Sequence, residues 1–426
     1  MSDSFILQGD ILYSESPSCI RAVRDGFLVV EKGICQGVFE TLPAAAAHTE
    51  VTDYRGRLII PGMTDLHLHA PQYAFRGMWM DEELLDWLNR HTFPIEARYA
   101  DAQFAREAYA QFRDAIRRSA TTRAVMFATI HRDTTVQLMD LMEETGIISY
   151  VGKVNMDRNS PDILREENAA KSLADTVLWL DETEGRYAHT HPILTPRFVP
   201  SCSDELMEGL GRLSYERGLP VQSHLSENVG EIAWVKELCP WSAHYGDAYD
   251  RYGLLGSGAK SVMAHCVHSS EEELQLMKAR GTFIAHCPDS NANIASGIAP
   301  VRHYLDEGLH VGLGTDVAGG ATLSMFAVMR EAVQHSKLRW RLKDDSLRWL
   351  TFAEAFYMAT VGGGAFFGRV GSFARGYEAD ILVLDDHVLK TPLMSELTLP
   401  ERLERVIYLG HSTCILHKYV RGAQLF

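Results

Sequence analysis

The chain lacks any long apolar run: no stretch approaches the roughly 18 consecutive apolar residues that a membrane span requires. The opening residues, MSDSFILQGD, carry no basic flank before an apolar core, so they do not read as a secretory signal. Cysteine is sparse. Cys19, Cys35, Cys202, Cys239, Cys266, Cys287 and Cys414 are scattered, odd in number and never spaced C-x-x-C. This pattern argues against a disulfide framework and against a zinc finger. It predicts a reduced, cytoplasmic protein whose cysteines are buried apolar residues. Basic residues are in deficit, 41 Lys and Arg against 56 Asp and Glu, for a net charge of −15. Such a chain is poorly suited to gripping a phosphate backbone. Nucleic acid and membrane are therefore not expected partners, although a free base or nucleoside is compatible. No Walker loop, dinucleotide glycine fingerprint, low-complexity linker or fixed-period repeat is present, and Gly362-Gly363-Gly364 lacks the strand-to-helix context a phosphate loop needs.

What is present is enough apolar sequence for a large core: 46% of the 426 residues are hydrophobic and 23% charged. Residues 1–57 alternate short apolar runs with turns. Phe5–Leu7 and Ile11–Tyr13 flank Gly9-Asp10, and Phe27–Val30 follows. The stretch 369–426 has the same texture, with Ile381–Leu384, Arg405–Tyr408 and Tyr419-Val420 read as strands. Chain ends often lie close together, so these two segments are expected to form one small β-sandwich domain.

Between them, over 58–368, short apolar runs alternate with helical segments. Eight strands are expected: Leu58–Ile60 extended to Leu66, Ala124–Ile130, Ile147–Val151, His191–Leu194, Leu219–Gln222, Ser261–Ala264, Thr282–Ala285 and Leu309–Leu313. Thr134–Glu144, Asp204–Arg217 and Glu271–Arg280 read as helices. Eight strands alternating with helices predict a (β/α)8 TIM barrel, with an open doubly wound sheet as the alternative.

The chemistry-bearing residues fall at predicted strand ends. In Asp65-Leu66-His67-Leu68-His69 the two histidines share one face of a strand and can grip one metal ion. His-x-His alone is also what two histidines at a strand edge look like. His224 ends the fifth strand, His265 the sixth, and Asp316 follows the eighth in Gly312-Leu313-Gly314-Thr315-Asp316. In a barrel the carboxyl ends of all strands meet at one rim. Imidazole plus carboxylate suits zinc, with iron or manganese also compatible. Glu227, three residues after His224, is placed to move protons, or simply to open the next helix. Lys153 is the nearest candidate for a second metal position, and a single metal is the preferred reading. Cys266 and Cys287 stand beside histidines without basic partners and read as packing residues.

Pro61-Gly62-Met63-Thr64-Asp65-Leu66-His67-Leu68-His69 resembles the opening strand of the amidohydrolase superfamily. Ser223-His224, Ala264-His265, Gly314-Thr315-Asp316 and the run Gly376-Tyr377-Glu378-Ala379-Asp380-Ile381 continue its order. Within that superfamily the chain is similar to the guanine deaminases. The similarity is carried by His69-Ala70-Pro71-Gln72-Tyr73, Thr92-Phe93-Pro94, Ala128-Thr129-Ile130-His131, Val151–Asp157, Thr195-Pro196-Arg197-Phe198, Ser223–Asn228, Ala285–Asn291 and Gly314–Gly320. The resemblance implies one zinc per subunit, or iron, held by His67, His69, His224 and Asp316. It implies catalytic roles for Glu227, Asp316 and His265, with His265 orienting the attacking water. It also implies a purine site made by Gln72, Arg197 and Phe198 together with His224, Glu227 and Asp316. Guanine as substrate, xanthine and ammonia as products, and a homodimer follow as expectations. Guanine offers O6 and N7 as acceptors to the donor fork of arginine, and a flat face to phenylalanine. The remaining alternatives are a related ring such as 8-oxoguanine, a pterin or a triazine, or a metal-free scaffold that has lost its ligands.

Overall fold

The computed structural model describes residues 4–256 and 258–426. The N-terminal segment forms β1 (Ser4–Ser16), β2 (Cys19–Glu31), β3 (Ile34–Phe39) and β4 (Val51–Pro61). The turn expected at Gly9-Asp10 is instead a bulge inside one long strand, where the register with β2 shifts between Gly9 and Ile11. The reason is steric. A Cβ on Gly9 would lie 2.8 Å from Ile59 Cδ1 and 2.9 Å from the carbonyl oxygen of Tyr54, so glycine serves a close backbone approach here.

Next come β5 (Met63–His69), β6 (Thr121–Phe127), β7 (Ile148–Gly152), β8 (Val154–Asn155), β9 (Thr190–Pro192), β10 (Thr195–Pro196), β11 (Val221–Leu225), β12 (Ser261–His265), β13 (Phe283–His286) and β14 (His310–Leu313). The expected run from Leu58 to Leu66 is divided at Pro61-Gly62: Leu58–Pro61 belongs to β4, and β5 starts a separate sheet. The other seven expected strands are present within a few residues. Strands β5-β6-β7-β9 and β11-β12-β13-β14 form two four-stranded parallel arcs. At one junction Leu194 bridges Val221 in parallel. At the other, Asp316 N donates to His67 O at 2.8 Å and His69 N to Val317 O at 3.0 Å. One apolar cluster draws Leu66, Val125, Ile193, Val262, Ala264, Phe283 and Ala285 from both arcs.

Helices lie between the strands, and several are started by a side-chain cap. Ser203 caps Asp204–Arg217, which Gly218 ends in the left-handed conformation, and Asp101 caps Ala102–Arg118. Among the described residues no helix is long and apolar enough to cross a membrane.

The C-terminal segment adds β15 (Ile381–Leu384), β16 (Ile415–Val420) and β17 (Ala423–Gln424). The two ends of the chain share one seven-stranded sheet in the order β17-β16-β15-β4-β1-β2-β3. It curls over, because Ile34 on its β3 edge bridges Glu378, just ahead of β15. One core inside that curl joins Leu7, Val30, Ile59, Phe373, Ile381 and Tyr419. Arg405–Tyr408, expected as a strand, lies in the helix Leu399–Leu409. Leu399, Leu403, Val406 and Ile407 bury one helical face, and Thr398 with Glu401 forms a capping box. Period and cap override the β-prone composition. Arg123 on β6 ties the two bodies together, fully buried, with Nε 2.6 Å and Nη2 2.8 Å from the two carboxylate oxygens of Asp380. All seven cysteines are free. Six are buried as expected, whereas Cys19 is exposed at the start of β2.

Candidate active site

Strand alternation turns His67 and His69 at the end of β5 to a common side. Their backbone is braced by Asp65, which accepts from His67 N at 3.3 Å, Thr315 N at 3.0 Å and Thr315 Oγ1 at 2.6 Å. The same carboxylate thereby fixes the turn that presents Asp316. Burial pushes Asp65 up to about 7, against the pull of the Thr315 and His67 hydrogen bonds. Three residues of the site hold left-handed backbone without being glycine: Ser226 (φ 47°), His265 (φ 73°) and Asp316 (φ 45°). Such conformations cost about 1–3 kcal/mol each and cluster where side chains must be aimed.

The histidine nitrogens converge. His69 Nε2 is 3.2 Å from His224 Nε2, and Asp316 Oδ1 is 3.2 Å from His67 Nε2 and 3.6 Å from His69 Nε2. Two groups have donor atoms close enough to share one ion: His67, His69 and His224, and His67, His265 and Asp316. His224 Nδ1 lies 2.6 Å from the carbonyl oxygen of Arg197, so Nδ1 carries the proton and Nε2 presents its lone pair. Burial, and then the neighbouring histidines, hold His69 and His224 well below the usual imidazole range; burial does the same for His67. Neutral rings facing each other with lone pairs repel unless a cation lies between them. His67 Nε2 and His69 Nδ1 are buried without a hydrogen-bond partner. The donor set thus fits a borderline divalent metal such as zinc or iron.

Glu227 and His265 stand beside this cluster. His265 Nδ1 bonds Asn291 Oδ1 at 2.9 Å, which leaves Nε2 facing Glu227 Oε2 at 3.5 Å and Asp316 Oδ2 at 3.7 Å. Burial, and then the Asp316 charge, raise Glu227 well above the ordinary carboxyl range, and burial raises Asp316. A carboxyl group that holds a proton this readily can both take and give one. Its loop is held by Glu231, which accepts from Glu227 N at 3.1 Å and from Tyr245 OH at 2.7 Å.

A pocket opens onto these groups. Gln72, Arg197, Phe198, His224, Glu227 and Asp316, the six residues expected at a purine site, line it together with His69 and His265, and Leu84, Trp87, Leu88 and Ile294 complete an apolar wall. Sequence reasoning missed that wall, and also Glu96, Asp65 and Asn291. Glu96 lies two residues beyond Pro94, outside the run Thr92-Phe93-Pro94 that the resemblance singles out. Asp65 adjoins the His-x-His pair, and its role shows only once β14 is alongside. Lys153 belongs to neither donor group: it is buried, with Nζ 2.5 Å from Glu166 Oε1.

The amidohydrolase family model matches residues 58–425. A guanine deaminase of Dictyostelium discoideum is 38% identical over 381 residues, covering 88% of this chain and 84% of the relative. The guanine deaminase of Escherichia coli K12 is 36% identical over 425 residues, covering 97% and 93%. Among solved structures, a guanine deaminase from C. acetobutylicum, with guanine bound in its active site, superposes with a TM-score of 0.96 at 45% identity. It covers 99% of this chain and 100% of that one.

Proposed function

The chain belongs to the amidohydrolase family, among the guanine deaminases, and from that premise we infer that it hydrolyses guanine to xanthine and ammonia. The observation that carries this reading is one juxtaposition. Three neutral histidines and an aspartate converge beside a buried, readily protonated glutamate, at the floor of a pocket walled by Arg197, Gln72 and Phe198.

In this reading His67, His69, His224 and Asp316 hold one zinc ion, or iron. When bound, the metal supplies Lewis acidity and brings the pKa of water to about 7. Arg197 and Gln72 bind the polar edge of the base, and Phe198 packs on its face. Glu227 accepts a proton from the attacking water and delivers it to ring N3, which makes C2 electrophilic. Oxygen bonds to C2. His265 orients the water through Nε2, its ring fixed by Asn291. Asp316 helps transfer the second proton to the amino group, the C2–N bond breaks, and ammonia leaves. Guanine plus water balances xanthine plus ammonia. The apolar wall of Leu84, Trp87 and Leu88 excludes bulk water.

The same reading takes the two arcs as a closed (β/α)8 barrel and the curled sheet as a β-sandwich built from the two ends of the chain; the boundary expected between 57 and 58 moves to Pro61, because Leu58–Pro61 pairs with β15. Backbone bonds at both arc junctions support it. A cytosolic homodimer belongs to the reading as well, and light scattering measures that association.

The decisive assay follows ammonia and xanthine formation from guanine, using zinc-loaded protein with and without a chelator. Chelator-sensitive xanthine production is the expected result. A folded, metal-loaded sample that forms no xanthine overturns the reading.

A further inference from the structure

Behind the pocket stands a carboxylate that sequence reasoning did not reach. Glu96, on the short helix Phe93–Ala97, is 1% exposed and does not line the cavity. Its oxygens collect three donors from two residues that do. Arg197 Nη1 lies 2.6 Å from Oε2, while Arg197 Nη2 and Gln72 Nε2 lie 3.3 Å and 2.8 Å from Oε1. Phe93, on the same helix, lies 4.9 Å from the guanidinium carbon, measured to its ring centroid.

This arrangement fixes the polarity of both pocket residues. The backbone N–H of Ala318 donates to Gln72 Oε1 at 3.1 Å, and an ionised carboxylate only accepts. The Gln72 amide therefore has one allowed orientation. Two of the five guanidinium N–H donors of Arg197 are spent on Glu96, which sets the plane of the remaining ones. A neutral purine brings no charge to balance a buried guanidinium. Glu96 supplies that charge, so an uncharged ring can occupy the pocket without leaving Arg197 unpaired.

We propose that Glu96 is the positioning residue that sets base selectivity, holding Gln72 and Arg197 as donors so that the pocket takes a ring carbonyl in preference to a ring amino group. This deepens the guanine reading and rests on it. An amide at position 96 has the shape of the carboxylate but one acceptor fewer. Whichever way it turns, an N–H faces Arg197 or Gln72, and one of the two donors loses its anchor.

The test compares wild type with Glu96→Gln and Glu96→Asp on guanine and on 2,6-diaminopurine, which has an amino group in place of the carbonyl at C6. Where diaminopurine turns over too slowly, its inhibition constant stands for its KM. Metal content, thermal melting and calorimetric binding of xanthine are measured alongside. For Glu96→Gln the expected result is normal metal content, a guanine KM raised about tenfold or more and a kcat within about threefold of wild type. The preference for guanine over diaminopurine falls about tenfold or more, and xanthine binds more weakly by a similar factor. Glu96→Asp, which keeps the charge, falls between the two. A folded Glu96→Gln enzyme with wild-type KM and preference, or with equal losses on both bases, overturns the proposal. If Glu96→Gln does not fold, Glu96→Asp decides on the same criterion. Wild-type protein inert on guanine removes the underlying functional reading, whereas an active wild type with an unmoved preference removes only this proposal.

Discussion

Glu227 Oε2 lies 3.5 Å from His265 Nε2, and both side chains are buried. Because His265 Nδ1 is engaged with Asn291, its Nε2 carries a lone pair toward two carboxyl groups. A proton on Glu227 makes that contact favourable, and burial favours that proton. The contact thus holds the Glu227 carboxyl group and the His265 ring in a fixed relation at the pocket.

Glu227→Gln keeps the shape and removes the exchangeable proton. The expected loss in kcat is about 10²–10⁴-fold, with metal content near that of wild type. Steady-state kinetics paired with elemental analysis measures both. Near-normal turnover would refute the proton-shuttle role.

Removing the metal should leave His67, His69 and His224 facing each other uncompensated. Chelated protein is expected to lose activity and melt at lower temperature, and stoichiometric zinc should restore both. An apoprotein with unchanged melting and activity contradicts the metal assignment.

Arg197→Ala deletes the pocket's charged donor and strands buried Glu96. Guanine KM is expected to rise about tenfold or more with metal content intact. Stability should fall by about 3–5 kcal/mol, because a buried carboxylate loses its partner. Unchanged substrate affinity counts against the assignment of Arg197 to the base.

Away from the site, Glu354 tests the acid limit of the fold. Burial raises its pKa, but Arg348, the Thr351 backbone and Arg302 outweigh burial and bring it to about 2. A depressed carboxyl pKa stabilises the fold above the unfolded value near 4.5, and that contribution is lost as pH falls from there toward 2. Glu354→Gln should therefore cost about 1–3 kcal/mol at pH 7, and its melting deficit should shrink below pH 4.5. A deficit independent of pH would show that the charge plays no part.

The site was legible where chemistry follows local spacing. His67 and His69 are two residues apart in a strand, and alternation alone aligns them. His224, His265 and Asp316 each follow an apolar run, and the strand pattern puts them at strand ends. Glu96 was not legible, since nothing in a short helix outside the strand pattern announces a contact with Arg197, 101 residues away. The fold shows the same division. Arg405–Tyr408 has strand composition, and only the burial of Leu399, Leu403, Val406 and Ile407 on one face reveals a helix. Gly9-Asp10 looks like a turn until Ile59 and Tyr54 are seen to require the missing Cβ.

The Arg123–Asp380 pair has a consequence for the order of synthesis. Its partners are 257 residues apart, and Glu378 shares the guanidinium. At about 5–20 residues per second, a ribosome delivers the second strand of the first arc roughly 13–50 s before the carboxylates that neutralise it. Until then a guanidinium destined for burial has no counter-ion, and the arc cannot seal around it. The nascent chain therefore waits, open at that edge, until Glu378 and Asp380 have been made. A chain that terminates early is left with an unpaired charge in its core, a state that chaperones and proteases can recognise.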